Sequence, residues 1–456
     1  MTPAVSNARQ MKLSVFMMMD GNYHLAGWRL PNSHADAGQN LERWIEFAQI
    51  LERGKLDMLF IADNISPPGV DHPESMSHTA RSIGLEPLTL LSALSAVTSR
   101  LGLAATAATT WNEPYTLARM FASLDHLSSG RAGWNVVTGR NAEDANNFSR
   151  TEHVAYADRY ARAEEFVDVV RGLWDSFEDD ALLLDKASGR FFDPEKMHLL
   201  NHKGAVFAVK GPLSVSRPPQ GHPVIIQAGQ SGAGRDLSAR IADIVFTMQS
   251  SFESAKAFYD EMKGQVVKFG RSPDHLKILP GVNLYIGRTA QEADERYEEL
   301  QSLIPIQFAL RQLSLQLGVD LSGYALDGPM PEIAANVMRA RPDFFLSFAQ
   351  KEKLTLRQTA LRAAAGKGHW LIKGSPQDIA DQMEYWFKGG AADGFNLLPP
   401  SVPQTLTDFV DLVVPELRRR GLFRTEYEGR TLRENLGVPR PAHWSATTSR
   451  LQRNSH

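Results

Sequence analysis

The rhythm of this chain constrains its fold more than any single motif. Short, almost wholly apolar runs recur along it, each followed by a segment with helical apolar spacing. Leu56–Ala62 (LDMLFIA) is the clearest such run. A strand apolar on both faces belongs in a parallel sheet, where crossover helices cover both sides. Eight runs of this kind follow in order: Met11–Met19, Leu56–Ala62, Leu101–Ala107, Ala132–Val137, Pro223–Ala228, Ile244–Thr247, about Lys277–Ile286 and Asp393–Leu398. Helices are predicted between them. One carries Leu41, Trp44, Ile45, Ala48 and Leu51 on a single face and stops at Gly54. Pro87 and Pro114 open the next two, since proline suits the first helical turn. Eight strands alternating with helices is the pattern of an α/β (β/α)8 TIM barrel; a doubly wound parallel sheet is the competitor.

Two segments interrupt the rhythm, and both are read as insertions, after strands four and seven: about 179–221, turn-rich with short β-like pieces, and about 288–375, largely helical. The tail after Glu434 (about 434–456) is rich in Pro, Arg and Ser and is expected to extend over the surface. The whole chain, 1–456, is thus read as one barrel with insertions and a C-terminal extension. Its 49 basic and 52 acidic residues give a net charge of −3, no electrostatic footprint for nucleic acid or an anionic membrane. The absence of cysteine excludes disulfides, thiolate metal sites and cysteine nucleophiles. Met1–Met11 lacks a secretory hydrophobic core, and Leu88–Thr110 is broken by Ser92, Ser95, Ser99 and Arg100, so no membrane span is expected. A cytoplasmic protein acting on a small molecule is the expectation.

In a barrel the active site lies where strands end and helices begin. That rule selects Asp63, Thr109–Thr110, Val137–Gly139, Gly229–Gly232, Met248–Ser250 and Pro399–Ser401. The strongest local signal is Gln227–Arg235 (QAGQSGAGR), a strand end turning through small residues into a helix. Unpaired N–H groups at a helix start favour an anion, and Ser231 adds a hydroxyl beside Gln230 and Gly232. The alternative is a plain turn with a serine N-cap. No Lys-Ser/Thr follows, so a nucleotide P-loop is disfavoured, and the spacing fails the dinucleotide fingerprint. Asp63 is either a helix cap or a site residue. Thr109 either starts a loop or bonds a polar heterocycle. Asn135, between Trp134 and Val136, needs partners for its buried amide, from backbone or from a ring system. Tyr156 and Tyr160 share a helical face, as a packing pair or as two phenols reaching a phosphate. His198 and His202 have the i, i+4 spacing of two metal ligands on a helix but lack the glutamate of a zincin, so no metal is expected. Asp71, His72, Glu74 and His78 form a polar loop cluster read as part of a lid.

Together, Leu56–Asp63 (LDMLFIAD), Glu86–Val97 (EPLTLLSALSAV), Pro114–Asn135 with Val137 and Thr138, Asp158–Phe166 (DRYARAEEF), Gln227–Arg240 and Gly374–Asp381 resemble the bacterial luciferase-like FMN-dependent monooxygenases. The resemblance is closest to the nitrilotriacetate and dibenzothiophene sulfone monooxygenase branch and runs from about Met11 to Arg420. It implies a barrel binding FMN at the C-terminal ends of the strands. Asp63, Thr109 and Asn135 would face the flavin ring region, and Tyr156, Tyr160, Gln230, Ser231 and Gly232 its ribityl phosphate. Two positions depart from the family pattern: Tyr156 stands where His is more usual, and Gln230 where a second Ser is common.

The activity implied is two-component monooxygenation through a flavin peroxide, with O2 as cosubstrate. A separate NAD(P)H:flavin reductase would supply FMNH2. The organic substrate would be an organosulfur compound such as a sulfone, or an amine polycarboxylate. Trp28, Phe60, Phe246 and Met248 are the candidate substrate contacts and His24 the candidate catalytic residue. Loops 21–40, 66–85 and 139–153 and the second insertion are lid candidates. A homo-oligomer, dimer or tetramer, goes with the family. The competing functions are a flavin-binding barrel without turnover and an F420-dependent oxidoreductase on the same scaffold.

Overall fold

The computed structural model describes residues 9–67, 73–139, 141–333, 349–366 and 368–445. Its centre is a closed barrel of eight parallel strands. These are β1 (Lys12–Met17), β2 (Met58–Ile61), β3 (Gly102–Ala108), β4 (Ala132–Val137), β9 (Val224–Gln227), β10 (Ile244–Thr247), β11 (Lys277–Ile286) and β13 (Gly394–Leu398). Between β4 and β9 the first insertion carries two small antiparallel pairs, β5 (Leu182–Asp185) with β6 (Arg190–Phe192), and β7 (His202–Lys203) with β8 (Ala208–Val209). The ring closes where Ile244 of β10 pairs with Lys277 of β11 and where Lys12 of β1 pairs with Gly394 of β13. All eight runs read from the sequence are therefore strands of one ring, and the doubly wound alternative falls.

Alternation along each strand decides what faces the barrel interior and what faces the helices. On β4, Trp134 and Val136 join Phe121, Phe166 and Trp174 in the layer between strands and helices. Gly133 and Asn135 take the opposite parity and point inward, and a Cβ at Gly133 would stand 3.0 Å from Ala104 Cβ. On β1, Ser14 Oγ donates to Asn396 Oδ1 inside the barrel at 2.8 Å. Glu86 caps the helix Pro87–Ser95, accepting from the amides of Leu88 and Thr89 at 2.8 and 2.7 Å.

Two sequence expectations change. The insertion 288–375 is not helical throughout. The helices Ala290–Ser302, Ile306–Leu317 and Leu356–Gly366 are followed by a strand, β12 (Trp370–Gly374). It pairs in parallel with the upper half of β11, Val282 opposite Trp370, and lies outside the ring. Its sequence, WLIKG, is too short to separate a strand from a helix by periodicity. The stacking of Trp370 on Trp386 at 3.9 Å is a long-range contact. The first residues of the tail, up to Leu436, are not extended over the surface but end a helix that begins just before it. Residues Leu432–Leu436 form a short helix with Thr431 and Glu434 as its capping box. Leu432 and Leu436 are fully buried beneath the barrel, against Met58, Phe60, Ala104 and Val224. Arg433 grips Asp243 with two hydrogen bonds of 3.0 and 2.8 Å. No helix among the described residues is long and apolar enough to cross a membrane.

Candidate active site at the C-terminal mouth of the barrel

The loop after β9 is drawn tight by its own side chains. The Gln227 amide oxygen accepts from the Gly229 N–H and from Ser238 Oγ. Gly229 and Gly234 then approach so closely that a Cβ on Gly229 would lie 2.8 Å from Gly234 Cα. Only glycine at both positions lets the chain turn straight into the helix Gly232–Ile241. Ser231 is the N-cap of that helix, and its Oγ accepts from the Gly234 N–H at 3.2 Å. The same Oγ receives the Tyr156 hydroxyl at 2.6 Å and lies 3.3 Å from the Tyr160 hydroxyl. Both phenols come from the start of the helix Tyr156–Trp174, with rings 5.0 Å apart. Burial raises the Tyr160 hydroxyl above its ordinary pKa, so it is a neutral donor at physiological pH. Beyond Gly232 a Cβ would meet nothing within 4 Å, so the helix start opens onto free space. Gln230 turns the other way, its amide donating to Thr247 Oγ1 on β10 at 3.2 Å.

Arginines unanticipated as site residues support this face. The guanidinium of Arg159 lies 5.6 Å from the Tyr156 ring centroid and donates to the Gly139 carbonyl. Arg162 donates to the carbonyls of Thr109 and Asn112 at 3.2 and 3.1 Å, fixing the end of β3. Arg159, three residues after Tyr156, was readable from its spacing on that helical face; Arg162, six after Tyr156, was not.

Deeper in the mouth, Asn135 Nδ2 donates to Thr106 Oγ1 at 3.0 Å, and Thr106 Oγ1 donates to the Ile61 carbonyl at 3.0 Å. Asn135 Oδ1 is buried and has no partner among the described residues. A buried acceptor left open in this way marks a place for a donor. Thr106 was missed by sequence reasoning, although its parity with Ala104 and Ala108 gives its inward direction. The Thr109 N–H continues the β3–β4 ladder by donating to the Val137 carbonyl at 2.8 Å. Asp63 follows β2, and burial, with Glu86 and Asp144 nearby, pushes its carboxyl up to about 6.

The candidate substrate contacts separate. Phe60 is fully buried with the tail residues Leu432 and Leu436. Phe246 is half-buried, 6.0 Å from Phe60 and 5.2 Å from Phe16, and stacks on His369 at 5.3 Å with the rings 3° from parallel. Met248 and Trp28 are half-buried. His24 is fully buried; its Nδ1 accepts from the Ala26 N–H at 3.1 Å and its Nε2 lies 3.3 Å from the Gln301 amide. Burial, with Arg81 second, takes its pKa down to about 3, so the ring is neutral at physiological pH. His198 and His202 are not on a helix. Each pairs with a different glutamate, Glu178 and Glu165, at 2.9 Å. Asp71 and His72 of the loop cluster lie outside the described residues, while Glu74 and His78 face each other at 3.9 Å on the surface.

A model of the family described as luciferase-like monooxygenase matches residues 23–393. The chain belongs to the luciferase-like monooxygenase family. This luciferase-like monooxygenase is 49% identical to nitrilotriacetate monooxygenase component A of Aminobacter aminovorans, over 97% of this chain and 99% of that one. It is 48% identical to N-acetyl-S-(2-succino)cysteine monooxygenase of Bacillus subtilis (strain 168), over 96% and 99%. A dibenzothiophene-sulfone monooxygenase of Rhodococcus erythropolis is 39% identical over 96% and 98%. The solved structure of a riboflavin lyase with modified FMN and riboflavin superposes with a TM-score of 0.81, at 32% identity, covering 94% of this chain and 96% of that one. The mouth of this luciferase-like monooxygenase suits a flavin mononucleotide. It pairs an exposed helix start ringed by hydroxyls with an orphaned buried acceptor deeper in the barrel.

Proposed function

We propose that this chain is the oxygenating component of a two-component system in the cytoplasm. It would receive FMNH2 from a separate NAD(P)H:flavin reductase and use O2 to oxidise a small organic substrate. The observation that carries the reading is the convergence of Tyr156, Tyr160 and the Gly234 amide on Ser231 Oγ at an open helix start. Hydroxyls and first-turn amides are donors, and a phosphate supplies the acceptors they need. Tyr156, Tyr160, Ser231 and the Gly232 amide would hold the phosphate. Asn135, Thr109 and Asp63 would address the ring. Bound there, reduced FMN would supply the electrons that activate oxygen.

The chain's own residues then bind, orient and exclude water. Asn135 Oδ1 offers one acceptor to a ring N–H, with Thr106 fixing the amide's orientation. Phe16, Tyr23, Phe246 and His369 make a wall of packed rings that would help to exclude water from a bound ligand. His24, neutral and bonded through both ring nitrogens' surroundings to Ala26 and Gln301, ties the loop after β1 to the second insertion. The two relatives named for nitrilotriacetate and N-acetyl-S-(2-succino)cysteine act on compounds with several carboxylates around nitrogen or sulfur. That is the substrate class we assign, and the name "component A" of the former fits a partner component.

The test is O2 consumption by the chain with a flavin reductase, NADH, FMN and each of these two compounds. Substrate-dependent product formation is expected. FMN binding without product across both compounds would leave a non-catalytic flavin barrel, and tighter binding of F420 than of FMN would select deazaflavin chemistry.

A further inference from the structure

The spacing of His198 and His202 suggested two metal ligands on one helix, and the structure breaks that pair: His202 turns to Glu165. His198 instead meets Glu178 and, from the C-terminal tail, His443. One ligand atom from each of these three side chains lies within 4.8 Å of the others. Three separate segments supply them. Glu178 follows the end of the helix Tyr156–Trp174, His198 belongs to the first insertion, and His443 comes after the floor helix Leu432–Leu436. The tail is already seated here, because Arg440 donates to Asp179, the neighbour of Glu178, at 2.8 Å.

The hydrogen bonds around His443 fix which nitrogen can bind a cation. Its Nε2 lies 2.8 Å from the Asp175 carbonyl. A carbonyl only accepts, so Nε2 carries the proton and Nδ1 holds the lone pair. An imidazole tied to a backbone carbonyl through its far nitrogen is the usual support of a metal-binding histidine. Nδ1 faces the Ser445 hydroxyl at 2.8 Å and its amide at 3.2 Å, and the same hydroxyl lies 3.4 Å from Glu178 Oε1. Ser445 thus stands between two of the three ligands. His198 Nε2 reaches the same Oε1 at 2.9 Å. Two imidazole nitrogens and a carboxylate oxygen are a donor set that suits Zn2+, with water in the fourth position. With bonds of about 2.1 Å, tetrahedral ligands stand about 3.4 Å apart. The separations here, from 2.9 Å to at most 4.8 Å, bracket that value. The His198 and Glu178 side chains are 21% and 29% exposed, and a cavity of about 470 Å3 lined by His198 and Trp444 gives a path in and room for the water.

We propose that Glu178, His198 and His443 form a Zn2+ site that fastens the C-terminal tail to the first insertion and to the end of the helix Tyr156–Trp174. Binding displaces the Ser445 hydroxyl and releases to solvent the proton between His198 and Glu178. That helix begins at the tyrosine pair of the mouth and runs for 19 residues, about 28 Å, before Glu178 is reached. The site therefore lies at the other end of the barrel from the proposed phosphate cradle, and the proposal stands independently of the oxygenase reading.

The experiment titrates the full chain, stripped of metal by a chelator, with Zn2+ in a calorimeter. One equivalent is expected to bind, and Mg2+, which nitrogen ligands do not suit, should not compete. His198→Ala and His443→Ala should each weaken Zn2+ binding at least as much as the loss of an outer partner does, about 10–100-fold. His202→Ala, which touches only the Glu165 pair, should bind Zn2+ as the wild type does. Zn2+ should raise the Tm of the wild type and leave that of His443→Ala where it was. FMN affinity should be the same with and without Zn2+. Should a histidine variant not fold, Glu178→Gln decides, since it keeps the shape of the side chain and removes its charge; it too should weaken Zn2+ binding. The proposal is overturned if the chain takes up no Zn2+, if the folded variants at 178, 198 and 443 bind it as the wild type does, if His202→Ala loses as much as His198→Ala, or if bound Zn2+ leaves the Tm of the wild type unchanged.

Discussion

The two ends of the barrel are built on opposite rules. At the floor, polar groups answer one another. Arg433 makes a two-pronged pair with Asp243 and also donates to the carbonyls of His222, Pro223 and Pro439. Around this pair Leu432 and Leu436 fill the space under Met58 and Phe60. At the mouth, the buried Asn135 Oδ1 is left open among the described residues. The Arg433–Asp243 pair is completed by the chain itself, whereas Asn135 Oδ1 is left open to a donor from outside it.

Substitutions can break this contrast from either side. The largest effect is expected from Arg433→Ala, which strands the Asp243 carboxylate in a buried site; about 3–5 kcal/mol of stability should be lost. Urea unfolding would measure it, with FMN affinity of the folded protein unchanged. Leu436→Ala should cost about 2–5 kcal/mol by opening a cavity at the floor, again without touching flavin binding. A change in FMN affinity from either floor variant would show that the two ends are not separable. At the mouth, Ser231→Ala should weaken FMN binding by about 1–2 kcal/mol, on the scale of a charge-assisted hydrogen bond. Its cost to stability should be of the same order, through loss of the N-cap. A fluorescence titration with FMN that showed no change would remove Ser231 from the phosphate site.

The smallest effect concerns pH. Burial raises the Asp63 carboxyl to about 6, so the folded chain holds this proton where an unfolded chain, at about 3.9, has lost it. The stabilisation is full below about 4 and is lost as pH rises through about 6. Asp63→Asn should flatten the fall in Tm across that window. An identical slope in the variant would mean that Asp63 titrates as an exposed carboxylate does.

How much was legible in the sequence follows the same division. Strand ends and helix starts are local, so Ser231, Tyr156, Tyr160, Thr109 and Asp63 could be selected from short stretches and the order of the strands. The convergence of Tyr156 and Tyr160 on the Ser231 hydroxyl could not, because it depends on how far the helix Tyr156–Trp174 leans towards the loop after β9. The tail misled for a related reason. A Pro- and Arg-rich segment resembles a surface strand because nothing local shows that Leu436 packs against Met58, Phe60, Ala104 and Val224, all far earlier in the chain. β12 escaped notice because five residues carry too little pattern of their own. Arg81 gave no signal at all: a lone arginine in a polar loop looks solvated, and only its burial against Tyr23 shows otherwise.

The short helix that seals the floor has a consequence for how the molecule is made. Lys12, at the start of the first strand, donates to the Asn435 carbonyl at 2.8 Å, so the earliest and latest parts of the barrel meet there. During synthesis the ring can assemble strand by strand, but its underside stays wetted until residue 436 has cleared the ribosome. Domains commonly begin to fold from the N-terminus as they emerge; here the underside of the ring is covered only once the helix Leu432–Leu436 has been made.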